Sequence, residues 1–538
     1  MFDTIRKRLK KPLPLQENNP LHREFLESGV HFVCNNRELE RTFERAVEEL
    51  FECITFDFNG TPVLLEGGVY PGCWLESTGT ISAEVLSRFM PSVSKATFEM
   101  FADNQLEDGL LPYKVTADGP AYRQIQMVTP LARSVWNHYL LHPDESFLHK
   151  MYQAVERFDR WLVQYRDTRK TGCVEAFCTF DTGHDLSPRF WHIPDTPYLQ
   201  DPRRCHPHSP VLPFLAPDLT ANVFCQRTYS DVMAEELNLS NQWKEAAEAS
   251  FHSLMTYCFD EEDHFFYDID RNGKKVKIQS DILLRVMACE VEDSAFFQEA
   301  LQRYLLNTRK FYANYPLTSI AMDDPRFDPF SHYNSWAGPT NFLSVLRTPH
   351  AFEYHQHHVE LTWISQQILD AFTRMTHFSQ CISPWTGEAG FTSGYSPAII
   401  STLDIIERYC GIMVRPDSKV WFTGLVPPCV EKGAEGSRST AYRRKIEGDE
   451  YELVNTPQES RVYKNDRLLY QFPNGIRVAA DREGRLQSIT GMSIQTITGS
   501  LFYQEDPYSF TIHGNQELTF SAAGFTTRSD VGVVTPSY

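Results

Sequence analysis

The sequence predicts a mainly α-helical protein, a double-layered barrel of paired helices followed by a smaller β-rich domain. Three observations carry this prediction. Amphipathic helical stretches recur between about residues 37 and 412, no β-alternating run separates them, and the texture of the chain changes after Ile412.

The first stretch, RELERTFERAVEELFECI, places Leu39, Phe43, Val47 and Leu50 at helical spacing with charges on the other face. Similar patterns recur near residues 80–104, 124–141, 146–166, 217–236, 240–258, 277–304, 340–347, 357–376 and 396–411. Allowing two helices in the longer windows, the count is about eleven or twelve. An α/β fold would show apolar β-branched runs between helices. None recurs, so an (α/α)6 barrel fits better. The loops 167–216 and 306–337 are dense in Trp, Tyr, His, Asp and Pro. Loops of that length in a compact domain are usually functional, and these are expected to gather at one mouth of the barrel.

After Ile412 come short alternating segments such as KVWFTGLV, RVYKN, LLYQF and IRVAAD, separated by the turn signals PNG, REG and HGN. The expected organisation is an N-terminal extension over 1–36, a barrel over 37–412 and a β-sandwich-like domain over 413–538. The last carries no clustered catalytic pattern and reads as a packing module or lid.

Fifty-one basic against seventy acidic residues leave a formal charge of −19, which repels polyphosphate backbones and acidic membrane surfaces. Nucleic acid and membrane are therefore excluded as partners. The start, MFDTIRKRLKKPLP, lacks the run of about 7–15 apolar residues of a secretory signal, and no stretch of about 20 apolar residues follows, so the expected location is cytoplasmic. The twelve cysteines form no CxxC pair and read as free thiols. The groups His355, His357, His358 and Cys205, His206, His208 lack zinc-site spacing, so neither metal nor other cofactor is expected.

Chemistry is concentrated in a few segments. Inverting cleavage of a glycosidic bond needs a protonated carboxyl beside the leaving oxygen and a carboxylate that activates water, about 6.5–9.5 Å apart. The loop VEAFCTFDTGHDLSPRFW offers Glu175, Asp181 and Asp185 among Phe, Trp and His, with Pro188 to stiffen the chain and Arg189 as a cation. A carboxyl held among aromatics has its charged form disfavoured, as a general acid requires.

DTGHDLSPR resembles the E-S-G-x-D-N-S-P-R signature of glycoside hydrolase family 63 and its mannosylglycerate hydrolase relatives, with Asp181 for Glu and Leu186 for Asn. The resemblance implies an inverting glycosidase whose general acid is Asp185. VYPGCWLESTGT resembles the family's P-G-x-x-W-D-T stretch, with Trp74 and Glu76; HYNSWAGPTN resembles Y-W-R-G-P, with Tyr333 and Trp336 kept and Ala337 in place of Arg. Gln124 and Gln126 in RQIQMVTPLARSVW resemble the family's Q-P-P helix start, and the likeness spans about residues 60 to 412. FSQCISPWTGEAG resembles F-x-E-x-Y-x-P-x-T-G-E, whose first Glu is the family's general base; here that position is Gln380, and a carboxamide takes no proton from water at neutral pH. Glu388, Asp181 and Glu76 are the carboxylates left to replace it.

The resemblance implies catalytic roles for Asp185, Gln380 and Glu388. It implies substrate contacts for Tyr70, Trp74, Glu76, Gln126, Asp181, His184, Arg189, Tyr333, Trp336 and Trp385. Trp74, Trp336 and Trp385 are expected to line one pocket with Asp185, because sugar faces need aromatic platforms. The leading reading is hydrolysis of a small α-linked glycoside. An inverting phosphorylase, with Arg189, His184 or His332 holding phosphate, stays open. So do a sugar isomerase, epimerase or lyase, and a non-catalytic sugar binder.

Overall fold

The computed structural model describes residues 2–57, 59–126, 129–427 and 439–538. Among the described residues, two short helices, α1 (Phe2–Leu9) and α2 (Pro20–Glu27), precede a run of twelve. These are α3 (Arg37–Glu52), α4 (Ala83–Leu86, entered through a wider π-helical turn at Ser77–Ser82), α5 (Pro91–Asp103), α6 (Leu131–Leu141), α7 (Glu145–Tyr165), α8 (Pro217–Glu236), α9 (Trp243–Ser253), α10 (Ile282–Met287), α11 (Ser294–Ala300), α12 (Phe342–Tyr354), α13 (His358–Arg374) and α14 (Ser396–Cys410).

Local chemistry sets their ends. Asn36 caps α3 by accepting from the amides of Glu38 and Leu39, and Leu39, Phe43, Ala46, Val47 and Leu50 form its buried stripe. Such a cap is worth about 1 kcal/mol. The stretch expected over 80–104 divides at Met90, before Pro91. The stretch over 124–141 becomes helical only after Pro130, which has no amide proton to give. The short stretch near 340–347 extends instead to Tyr354, straight through Pro349.

Contacts pass from α4 to α6, α8, α10, α12 and α14 and return from α14 to α4, a closed inner circuit against which α3, α5, α7, α9 and α13 pack. Inner helices are entered through long connections, such as 104–130 before α6, 166–216 before α8 and 375–395 before α14. They are left through short ones, 142–144, 237–242 and 355–357. The long connections therefore meet at one end, where the inner helices begin.

The β-rich part holds two antiparallel sheets. The six-stranded one runs Ile412–Val414, Lys419–Thr423, Ile476–Asp481, Leu486–Gly491, Glu517–Ser521, Gly524–Ser529. The seven-stranded one runs His31–Cys34, Thr440–Ile446, Asp449–Asn455, Glu459–Lys464, Arg467–Pro473, Ile497–Tyr503, Asp506–Ile512. Its first strand comes from the segment expected as an N-terminal extension, paired His31 to Arg443 through Cys34 to Thr440. This region grips the far ends of the inner helices. Glu407 is buried between Arg88 and Arg444, Arg88 also pairs with Asp404, and the Asn455 amide donates to the carbonyls of Cys410 and Thr423, each at 3.1 Å. Among the described residues no helix is long and apolar enough to cross a membrane.

Candidate active site

Asp185 stands on a turn whose backbone the sequence prepares. Gly183 has φ 67°, and a Cβ there would meet Glu76 Oε2 at 2.3 Å. Only glycine fits. Leu186 follows at φ 58°, and Ser187 accepts from the Arg189 amide at 3.4 Å as the chain turns down into the core. The Asp185 carbonyl accepts from the Trp336 amide at 3.0 Å, and its Oδ2 accepts from Asn334 Nδ2 at 2.6 Å. Burial pushes this carboxyl up to about 7; the Asn334 hydrogen bond opposes the rise, and the charges of Glu76 and Asp195 add to it.

A buried network lies beneath. Arg189 Nη1 donates to His184 Nδ1 at 2.7 Å, so His184 carries its proton on Nε2, 2.8 Å from Asp281 Oδ1. Burial, helped by Arg285, holds His184 down to about 3, so it is neutral. Arg189 also clamps Asp218 and Asp268, with Nη1 2.9 Å from Asp218 and Nη2 2.8 Å from Asp268. Asp181 pairs with Arg166 at 2.6 Å and accepts from the amides of Ile125 (3.1 Å) and Phe177 (2.8 Å). Glu76 pairs with Arg347, lies 3.7 Å from Arg285, and accepts from Gln126 at 3.4 Å.

These placements revise several sequence expectations. Asp181, His184 and Arg189 are fully buried, and their polar atoms are already engaged in the network under the Asp185 turn. Trp336, 1% exposed, packs its ring on His184 at 4.8 Å and under Arg285 at 4.9 Å, so it has no open face for a sugar. Trp385, 44% exposed, meets Phe327 edge-on at 5.9 Å on an outer turn. The three tryptophans thus do not form one platform. Glu388 is exposed on the same turn and accepts from Thr386 of that turn at 3.2 Å.

The remaining expected residues do converge. Tyr70 and half-buried Trp74 pack edge to face at 5.4 Å, with Lys114 Nζ 5.0 Å above the Trp74 ring. The Tyr70 hydroxyl donates to Gln380 Oε1 at 2.8 Å. Gln380 is buried, pinned by backbone bonds to Phe391 and Phe342. Tyr333 donates to Asp328 at 2.5 Å, beside Asn334.

Two neighbours were missed in the sequence. Asn334 lies inside a matched segment but looks like any loop asparagine. Glu66, in VLLEGG, is a single acid after apolar residues, and that oddity was the only signal. Its Oε1 accepts from the Tyr395 hydroxyl at 2.9 Å, and burial pushes it up to about 8, against the pull of Ser77 and Tyr395 and with the charges of Glu76 and Asp185 adding. A cavity of about 610 Å³ lies elsewhere, between the far ends of the inner helices and the sheets, lined by Trp136, His350, Glu353 and Trp421. Among the described residues no group of three or more His, Cys, Asp or Glu is placed to hold a metal ion.

The profile of the mannosylglycerate hydrolase MGH1-like glycoside hydrolase domain matches residues 70–396, more than half of the chain. The chain belongs to this family. It is a glycoside hydrolase, and the matched span runs from Tyr70 to the start of α14, taking in Asp185 and Gln380. Among solved structures, the family 63 mannosylglycerate hydrolase of Thermus thermophilus, in complex with Tris and D-glycerate, is similar at 17% identity and TM-score 0.57, over 68% of this chain and 99% of that one. A sialidase is similar at 12% identity and TM-score 0.64, over 89% of this chain and 44% of that one. The neutral trehalase Nth1 of Saccharomyces cerevisiae is similar at 12% identity and TM-score 0.50, over 66% and 76%. At such identities the likeness is one of fold. No curated protein sequence matches the chain.

Proposed function

We propose that this glycoside hydrolase cleaves a small α-linked glycoside or oligosaccharide with inversion, on an (α/α)6 barrel spanning about residues 37–412, with Asp185 as general acid. The observation that carries the reading is the Asp185 carboxyl, pushed up to about 7 by burial and held by Asn334 on one of the long loops at the end where they meet. A group with that pKa is protonated in a large share of molecules at neutral pH and gives its proton readily, which is what a leaving glycosidic oxygen needs. Trp74 and Tyr70 offer an aromatic wall, and Gln126 and Tyr333 offer hydroxyl-binding groups. The six inner helices in closed contact support the barrel, and the sheets, locked to its far end, support a packing role for 413–538. The similar Thermus structure holds D-glycerate, a small carboxylate, which favours a compact aglycone. Phosphorolysis loses two of its three expected phosphate holders, because Arg189 and His184 are already committed to Asp218, Asp268 and Asp281, which leaves only the exposed His332.

The test is turnover of a panel of α-glycosides with and without phosphate, in parent and Asp185→Asn. Phosphate-independent cleavage that falls by at least about a hundredfold in the variant supports the reading. Cleavage that needs phosphate, or an undiminished variant, sinks it.

A further inference from the structure

We propose that Glu66 is the general base that the Gln380 position lacks, acting on a water through its Oε2. The assignment rests on the hydrolase reading and deepens it.

The carboxylates near Asp185 can be taken one by one. Asp181 spends both oxygens on Arg166 and on two backbone amides. Glu76 faces Arg347, Arg285 and Gln126, so its charge is compensated and its lone pairs are directed at donors. Glu388 is exposed on its own turn. Asp195, whose charge also reaches Asp185, is exposed as well. Of these carboxylates, Glu66 alone is buried with an oxygen that lacks a well-formed partner.

Its geometry is that of a held base. The Glu66 carbonyl accepts from the Ser396 amide at 2.8 Å, its amide donates to the Gly72 carbonyl at 2.8 Å, and Oε1 takes the Tyr395 hydroxyl at 2.9 Å. Gly67, at φ 83°, lets the chain fold onto Gly394, whose carbonyl oxygen a Cβ would meet at 2.2 Å. Glu66 Oε2, Ser77 Oγ and Ser396 Oγ are all buried without a well-formed partner. A buried polar atom left without a partner costs about 1–3 kcal/mol, and an ordered water is its usual partner. The Tyr70 ring lies 6.0 Å from that of Tyr395, and its hydroxyl reaches Gln380, so two tyrosines link Glu66 to the position where the family's base would stand.

The groups facing Glu66 are Tyr395, Tyr70, Cys73, Ser77, Glu76 and Asp185, and among the described residues no ion pair reaches it. With nothing positive to offset burial, it titrates at about 8 while Asp185 titrates at about 7. The productive pair, Asp185 protonated and Glu66 ionised, then peaks between those values in roughly a twentieth of the molecules. That is enough for turnover and places the optimum slightly above neutral. In the step itself the water oxygen bonds to the anomeric carbon as its proton passes to Glu66. The glycosidic C–O bond breaks, and the leaving oxygen takes the Asp185 proton. The sugar leaves with inverted configuration, and solvent returns the proton from Glu66 to Asp185.

Glycosyl fluorides separate the two roles, because fluoride leaves without an acid but water still needs a base. Glu66→Gln keeps an acceptor for Tyr395, is expected to be at least as stable as the parent in Tm, and should lose at least about a hundredfold in kcat on the fluoride. Its pH profile should lose the limb that rises toward about 8. Asp185→Asn should retain fluoride hydrolysis. Glu66→Ala should be rescued by azide, an anion that attacks the anomeric carbon with no proton to remove, giving a glycosyl azide of inverted configuration. Fluoride turnover in Glu66→Gln within about threefold of the parent, or a folded Glu66→Ala that azide leaves inactive, overturns the assignment. A parent that hydrolyses neither glycosides nor fluorides would instead overturn the hydrolase reading itself.

Discussion

Replacing Asp185 by Asn should make the fold more stable at neutral pH while removing most of its activity on glycosides with poor leaving groups. The carboxyl is raised from an ordinary 3.8 to about 7, so the folded state resists its ionisation by about three units. At about 1.4 kcal/mol per unit this is about 4 kcal/mol, and the half-buried position, partly screened by solvent, reduces it to roughly 2 kcal/mol. Because the folded value lies above the unfolded one, the parent keeps this stability only below about pH 4 and loses it as pH rises to about 7. The amide has no charge to bury, and its oxygen can still accept from Asn334. Urea unfolding of both proteins from pH 4 to 9 should give curves that coincide at the acidic end, diverge in the variant's favour up to about pH 7, and run parallel above. Turnover on a poor leaving group should meanwhile fall at least about a hundredfold, with a smaller loss on an activated aryl glycoside. A difference that does not change with pH, or a variant less stable than the parent at pH 8, would refute the argument that burial raises this group.

Gln380→Glu should preserve or raise hydrolysis, since a carboxylate there keeps the acceptor that Tyr70 uses; assaying hydrolysis and phosphate-dependent cleavage in both proteins checks this, and suppressed hydrolysis would contradict it. Gly183→Ala should lower activity and cost about 1–3 kcal/mol by denaturant unfolding, because both the positive φ and the nearby Glu76 oxygen oppose a side chain. Arg166→Met should cost about 3–5 kcal/mol, since it leaves Asp181 buried without its cation, and Arg166→Met with Asp181→Asn should recover part of that loss.

The helices were legible because amphipathic spacing survives tertiary packing: Leu39, Phe43, Val47 and Leu50 of α3 are buried as their spacing indicates. The Asp185 turn was legible through its motif, and its raised pKa through the need for burial. The fate of the neighbouring residues was not. Trp336 and Trp385 share the same residue type and the same kind of loop, yet one is sealed under the site and the other faces solvent. That difference depends on which loops stack on which, information that is spread over the whole chain. Asp181, His184 and Arg189 carry functional-looking chemistry and yet serve the fold. Their carboxylate, imidazole and guanidinium engage Arg166, Asp281 and Asp218, partners that no motif or periodicity in the sequence ties to them. Glu66 was hidden for the opposite reason, because a single acid after an apolar run carries no periodic or motif signal.

The strand His31–Cys34, which edges the seven-stranded sheet, has a consequence for how the molecule is made. Some four hundred residues separate it from Thr440–Ile446, so the edge stays open on the ribosome until nearly the whole chain has emerged, and its closure comes late. Arg6 and α1 then seal the junction through Glu452 and Asp466. A chain trimmed to begin at Arg37 would retain the helices α3 to α14 and every residue around Asp185, but it would present Thr440–Ile446 as a bare, half-apolar edge able to pair with a second copy. The first three dozen residues act as a built-in guard against aggregation, and solubility rather than catalysis is where their loss would first be felt.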